Sequence, residues 1–513
     1  MAVVVLSYIL AIVVALACLS LPIVLFGQMS GDVSSFLFAR LLLSVFGLVA
    51  GFTILWSILP RRNKVEVNGV PIDLAKEKRF RAHIESIATT LKEPMPAEVY
   101  LLGDANAFVS QAGGFMGLGS RRIMGVGLPL LQMLTVSQFR AVLAHEFAHY
   151  YAGDTGLAPW VYGTTRALAR VYENLGKKSD IMSFLARWAV VAAPYMVLMW
   201  AMRLYWKLFI GMTQLISRRQ EYRSDELACH IAGSQPLIGG LETLHRSQAA
   251  LNSYWNSVVF PVAAGGYQPP IANGFLRFMQ APQIAKATSD ILAKEIAEGK
   301  TKPFDSHPAL QKRIERARSY DISAPESFAG EDGTEPAMIS VIDDLDALEG
   351  ALLRKVIPRV AKSNLKPMTW ETAAVNVYVP IWRSEISPYL PWLETQTLRS
   401  LPGLVSDPKP ISDKVPTAPG MLPNRDHRNA KALEILSRAL TVSLIDHGWS
   451  LVAQPGTFYL ERAGVKHESF GIVPRLKAGN LSKEQWEAFC AEQGIGDWPL
   501  GSAAVPSPTV ATA

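Results

Sequence analysis

Cysteine is scarce in this chain, three residues in 513, and charge is sparse, with Asp, Glu, Lys and Arg making up only 18%. Cys18, Cys229 and Cys490 stand far apart with no CxxC spacing, which excludes a disulfide framework and fits a reducing compartment. Low charge beside 49% apolar residues and a mean hydropathy of +0.17 excludes a disordered chain. The 33 prolines and 37 glycines follow no collagen-like period. Basic residues exceed acidic ones by 50 to 44, a net charge of +6, but they are scattered, so no nucleic acid is expected as a partner and the excess points to membrane orientation. A chain of this length exceeds one ordinary core and implies two or more domains.

What the sequence has is apolar length at its start. Met1 to Gly31 carries no charge, and Val3 to Phe26 is long enough to cross a hydrocarbon layer of about 30 Å as a helix. With no Lys or Arg before the apolar run, a retained span is expected rather than a signal peptide. A second uncharged run, Leu41 to Pro60, follows a short loop with Asp32 and Arg40 and ends at Arg61, Arg62 and Lys64. The two runs form a transmembrane hairpin, and the basic flank places the chain from Arg61 onward in the cytoplasm. A third apolar stretch, Ser183 to Ile216, is interrupted by Arg187, Arg203 and Lys207. Two crossings need about 40 residues and a turn, so one long helix, lying on or dipping into the bilayer or packed in the catalytic domain, is expected over a transmembrane hairpin.

The chemistry-bearing segment follows Thr135. Thr135 and Gln138 have capping-box spacing, and Gly153 is a natural stop. At about 100° per residue, Phe139, Leu143, Phe147 and Tyr150 share one face, while His145 and His149 lie one turn apart on another with Glu146 between them. Imidazoles at i and i+4 can both place a nitrogen about 2 Å from one zinc ion. The intervening carboxylate can then take a proton from a water whose pKa the metal lowers towards about 7, and return it to a leaving amine. The competing reading is an amphipathic helix with solvent-facing histidines. Downstream, Glu221 and Asp225 are again i and i+4; one can bind metal while the other fixes the tautomer of a ligand histidine. Standing alone, that segment would read as a solvated ladder of Arg and Glu.

HEFAH at 145–149, SRRQEYRSDELA at 217–228 and SHPALQKRI at 306–314 together resemble the gluzincin zinc metallopeptidase family of the bacterial membrane protease HtpX and the CaaX prenyl proteases. The likeness runs from about Ala97 to Tyr320 and is closer to the HtpX-like members. It implies His145, His149 and Glu221 as ligands of one Zn2+ per chain, Glu146 as general base and acid, and Asp225 as the aspartate behind a ligand. It implies too that Asn106, Ala107 and Phe108 form an edge strand on which an extended peptide pairs. His307 and Arg313 match the family's HPxxxxR element. Either would stabilise an oxyanion, or His307 would bind the metal in a resting form, or Pro308 simply starts a helix. Two points depart from the family. Prenyl proteases carry more spans than the two found here, so a prenylated substrate is not expected, and the second membrane hairpin usual in HtpX-like chains is weak.

Beyond Asp321 there is no catalytic constellation. Glu326 to Glu335 reads as a linker, Ala337 to Lys362 as a helix, and Leu401 to Asn424 as too proline-rich for a regular element. Trp449 to Gly464 reads as two strands around a Pro-Gly turn, and Ser482 to Gln493 as a capped helix. The expected fold is mainly α with a small β-sheet: a transmembrane hairpin (1–60), a gluzincin-type domain with the HExxH helix (61–320), and a small α+β accessory domain (321–513) with a disordered tail. The expected function is a multi-pass bacterial inner-membrane zinc endopeptidase. Its catalytic domain would face the cytoplasm and cleave membrane or membrane-proximal proteins, misfolded ones by resemblance. Its partners are protein or peptide substrates and the lipid bilayer; nothing in the sequence sets an oligomeric state. The alternative is a non-catalytic membrane scaffold with a structural or vestigial metal site.

Overall fold

The computed structural model describes residues 2–27, 37–58, 67–113, 120–150, 189–299, 307–328, 330, 333–360, 364–416, 425–467 and 469–501. The basic flank at Arg61, Arg62 and Lys64, the stop at Gly153 and the tail 502–513 lie outside these residues. The chain divides into two compact units: Met1–His245 with Leu292–Asp343, and Arg246–Ile291 with Asp344–Ala513.

The first unit opens with two antiparallel apolar helices, α1 (Ala2–Gly27) and α2 (Leu37–Ile58). Tyr8–Gly27 and Leu37–Ile58 are long and apolar enough to cross a membrane. Their shared seam buries Ala15, Leu42, Phe46, Ala50 and Ile54. Two glycines one turn apart make it possible: a Cβ on Gly47 would lie 2.4 Å from the Cys18 carbonyl oxygen, and one on Gly51 would lie 2.8 Å from that of Ala15. This is the small-xxx-small spacing that lets membrane helices touch backbone to backbone.

A four-stranded sheet follows, of β1 (Gly69–Pro71), β2 (Glu98–Leu102), β3 (Ala107–Ala112) and β4 (Arg121–Gly127), ordered β1-β2-β4-β3. β2 and β4 pair in parallel, and β3 runs antiparallel to β4 at the edge. Of the Gly-rich stretch from Gly113 to Gly127, Arg121–Gly127 is strand β4. Gly125 stays bare because a Cβ there would strike the Phe108 ring at 2.5 Å.

Helix α3 (Lys78–Thr90) carries Phe80 against Phe139 of α5 (Val136–Ala148), ring centres 5.8 Å apart. Between them in sequence, the short α4 (Leu128–Met133) is wholly apolar on its buried face. The capping box starts α5 as expected: Gln138 N–H donates to Thr135 Oγ1 and Thr135 N–H to Gln138 Oε1. Glu335 adds a second cap, accepting from Ser137 N–H at 2.6 Å, while Arg140 pairs with Glu326 and faces the Phe328 ring. The expected linker at 326–335 is thus docked on α5 where it is described, because α5's first N–H groups and the buried Arg140 guanidinium need partners.

Next comes α6 (Ala189–Ala232), one unbroken helix of 44 residues, so the third apolar stretch is a single helix from 189 onward. Gly233, at φ +98°, ends it. α7 (Leu310–Tyr320) packs on α6 through Leu310, Arg313, Ile314 and Ala317.

The second unit is helical around Arg425–Asp446, with an antiparallel sheet of β5 (Ser450–Gln454), β6 (Thr457–Arg462) and β7 (Val465–His467). The two expected strands are present, with a third beside them. Ser482 and Gln485 form the expected capping box on Lys483–Gln493. The long helix expected over 337–362 is instead a 3-10 turn (Met338–Val341), the helix Leu345–Val356 and another 3-10 turn (Pro358–Val360), since Pro358 cannot continue an α-helix. In the proline-rich stretch, Leu401–Ser406 and Lys409–Ser412 form short helices, each with proline in its first turn.

Candidate metal centre

Three elements bring the site together. α5 ends at Ala148, so His145 lies in its last turn and His149 just beyond it as the C-cap. The rings stand 4.8 Å apart and nearly perpendicular. From α6, Glu221 reaches both: its Oε2 is 3.6 Å from His145 Nε2 and its Oε1 is 3.5 Å from His149 Nε2. Donor atoms of His145, His149 and Glu221 lie within 4.8 Å of one another, a spacing that can hold a metal ion. Glu221 is only 3% exposed, and its Oε2 makes no aligned hydrogen bond among the described residues, although His307 Nδ1 comes within 2.7 Å. A buried, unsatisfied carboxylate oxygen facing two imidazole Nε2 atoms fits a divalent cation, whose ligands would be those three atoms.

The far side of each imidazole is also held. Asp225 Oδ1 lies 2.9 Å from His145 Nδ1, and Ser224 Oγ lies 3.2 Å from His149 Nδ1. Sequence reasoning missed Ser224, although its signal was present: positions i+3 and i+4 from Glu221 share one helix face. Asp225 is fully buried and receives a forked pair of bonds from Arg313, Nε to Oδ2 at 2.9 Å and Nη2 to Oδ1 at 2.7 Å. Arg313 is itself buried. Its guanidinium is committed to Asp225, whereas His307 stands at the rim with a side chain 60% exposed, beside Glu221.

Electrostatics follow from this packing. Burial opposes charge on His145, but hydrogen bonds to Asp225 and Glu221 outweigh it and raise its pKa to about 9. Burial and the neighbouring His145 lower His149 to about 4. Glu221 resists burial through His145 and His307 and stays well below the ordinary carboxylate range. Asp225 is likewise opposed by burial but held down at about 2 by Arg313. Burial raises Glu146, the one carboxyl here pushed towards protonation.

Asn106 precedes β3, and Ala107 and Phe108 begin it at the sheet edge, against which α5 packs. Tyr150 does not continue α5's apolar face. It lies past the helix, its hydroxyl donating to the Val109 carbonyl at 2.8 Å and its ring under the Arg122 guanidinium at 4.6 Å.

Residues 74–321 match the model of peptidase family M48. Over 197 residues the chain is 25% identical to Protease HtpX of Pseudomonas fluorescens, covering 38% of this chain and 57% of that protein. It is 28% identical over 198 residues to Protease HtpX of Xylella fastidiosa (38% and 58%) and 28% identical over 237 residues to that of Xanthomonas axonopodis pv. citri (44% and 66%). The chain thus spans a little over half the length of the first of these relatives. Among solved structures, the crystal structure of S. mikatae Ste24p aligns over 61% of this chain and 64% of that one at 14% identity, with a TM-score of 0.26. With its HExxH helix and its downstream glutamate, the stretch from residue 74 to 321 is a peptidase family M48 domain.

Proposed function

We propose that this chain is a membrane-anchored zinc-dependent endopeptidase that hydrolyses peptide bonds of membrane or membrane-proximal proteins, misfolded ones among them. One observation carries the reading: two Nε2 atoms and one buried carboxylate, drawn from helices far apart in sequence, converge within 4.8 Å of one another, with the Nδ1 atom of each imidazole already held. His145, His149 and Glu221 would hold one Zn2+. When bound, zinc supplies a Lewis acid for the scissile carbonyl and lowers the pKa of water. Glu146, its pKa raised by burial, takes the proton from the attacking water and delivers it to the departing amine. Asp225 and Ser224 fix the ligand tautomers, and Arg313 holds Asp225 in place. That commitment leaves His307, at the rim, as the side chain suited to meet the developing oxyanion.

The membrane setting is supported by the outer faces of α1 and α2, where Leu6, Ile9, Val13, Phe52 and Trp56 are each more than half exposed. Leaving such side chains in water forgoes roughly 1.5–3 kcal/mol apiece. By function we divide the chain into a hairpin over 1–60, a peptidase domain over 61–320 and an accessory domain from 321, with residues 246–291 packed in the second compact unit. The basic flank after the hairpin supports a peptidase on the cytoplasmic side of a bacterial inner membrane.

Glu146→Gln is expected to abolish casein cleavage by the full chain while retaining about one zinc by metal analysis. Chelation should abolish cleavage by the unaltered chain, and added zinc should restore it. A chain that binds zinc and cleaves nothing would instead be a scaffold.

A further inference from the structure

The edge of β3 is shorter, as a pairing surface, than its six residues imply. Gly127 N–H donates to the Asn106 carbonyl at 2.8 Å, which fixes the alternation of the antiparallel ladder. Asn106, Phe108, Ser110 and Ala112 turn their backbone groups towards β4, while Ala107, Val109 and Gln111 turn theirs to the open edge. At the Asn106 end, two of the four outward groups of Ala107 and Val109 already have partners. The Ala107 N–H donates to Asn106 Oδ1 at 3.0 Å, and the Val109 carbonyl accepts from the Tyr150 hydroxyl at 2.8 Å.

Tyr150 is not loosely placed. Its backbone N–H donates to the Phe147 carbonyl at the end of the HExxH helix, and its ring lies under Arg122. That guanidinium is anchored in turn on the Pro94 carbonyl and on Glu93. Between the Asn106 and Tyr150 side chains this leaves the Ala107 carbonyl and the Val109 N–H, an acceptor and a donor flanking Phe108, with Gln111 on the far side of the Tyr150 hydroxyl.

We propose, resting on the peptidase reading above, that Asn106 and Tyr150 bound the substrate-pairing edge of β3. Tyr150 cuts this stretch off from Gln111, so between the two caps an extended peptide makes two backbone hydrogen bonds, one to the Ala107 carbonyl and one from the Val109 N–H. A peptide entering antiparallel is held through the N–H of one residue and the carbonyl of the residue two before it. A parallel peptide is held through both groups of one residue. In either case only one substrate N–H contributes, which makes the site tolerant of sequence and dependent on a short extended segment.

The test is a backbone N-methyl scan of a fluorogenic peptide cut by the full-length chain, compared with Tyr150→Phe, each in detergent. Tyr150→Phe keeps the ring on Arg122 and releases the Val109 carbonyl; zinc content confirms that its site is intact. For the unaltered chain, N-methylation at a single residue should raise KM about tenfold, as expected for one lost hydrogen bond. In Tyr150→Phe a second sensitive position should appear two residues away, towards the peptide's N-terminus for antiparallel entry and towards its C-terminus for parallel entry. Identical profiles for the two proteins would overturn the proposal, as would two sensitive positions already present in the unaltered chain. Cleavage with no sensitive N–H would reject strand addition itself, and absence of any cleavage would reject the peptidase reading, so each failure has its own signature.

Discussion

At the scale of single residues, the ligand set is simple and its support is not. Spacing alone put His145, His149 and Glu146 on one helix and offered Glu221 and Asp225 as partners. It left Ser224 unnoticed, and it gave Arg313 no place in the site, because Arg313 stands 88 positions after Asp225 and no helical spacing links the two. Arg313 binds Asp225 by two bonds at the back of His145, where a planar fork does what a point charge cannot. Asp225→Asn should therefore weaken zinc affinity about 10- to 100-fold, measured by competition with a chromophoric chelator, with cleavage recovering at excess zinc. Arg313→Ala leaves a fully buried carboxylate without its cation, at a cost of about 3–5 kcal/mol in stability. Arg313→Lys should restore only part of this, and a Lys variant equal to the unaltered chain in urea midpoint would show that the fork does not matter.

At the scale of elements, helix ends were the most legible features. The capping boxes at Thr135 and Ser482 start helices where local chemistry requires them, and the strands around the Pro-Gly turn form as their alternation demands. Caps supplied from afar were not legible. Glu349 is one: its carboxylate accepts from the Ile271 and Ala272 N–H groups at 3.0 and 2.7 Å, closing the start of the helix Ile271–Gln280. Burial nevertheless raises its pKa to about 7, above the ordinary value of 4.5. A raised folded-state pKa means stability that is complete below about 4.5 and lost as pH rises through about 7. The difference of about 2.5 units corresponds to about 3 kcal/mol. Glu349→Gln should flatten that slope between pH 5 and 8 in denaturant midpoints followed by tryptophan fluorescence. An equally steep slope in the variant would assign the dependence to other groups. The membrane hairpin makes a second prediction at this scale. Gly47→Ile pushes a branched side chain into the Cys18 carbonyl, so α1 and α2 should separate, read as lost cross-linking between cysteines placed across the seam.

For the whole molecule, what the sequence concealed was where the chain returns to itself. Residues 246–291 begin within the helix Ser234–Tyr254 that follows the metal-binding helix and lie within the family match, so a linear reading assigns them to the peptidase. They fold instead with Asp344–Ala513. Tyr254, Phe275 and Phe278 cluster in that unit, the Trp370 indole donates to the Pro270 carbonyl, and Gly274 is bare because Trp370 fills the space a Cβ would need. Docking between segments about 100 residues apart leaves no local periodicity to read, since each amphipathic helix shows only that some partner exists. The consequence is physical. A chain ending at Asp343 would keep those three rings, each worth roughly 1.5–3 kcal/mol of burial, without the residues that cover them. Such a truncation is expected to bind a hydrophobic dye, to aggregate in detergent and to lose activity even though His145, His149 and Glu221 remain. If it were monodisperse with an unchanged melting profile, the C-terminal third would be an appendage, and 246–291 would owe its fold to the peptidase.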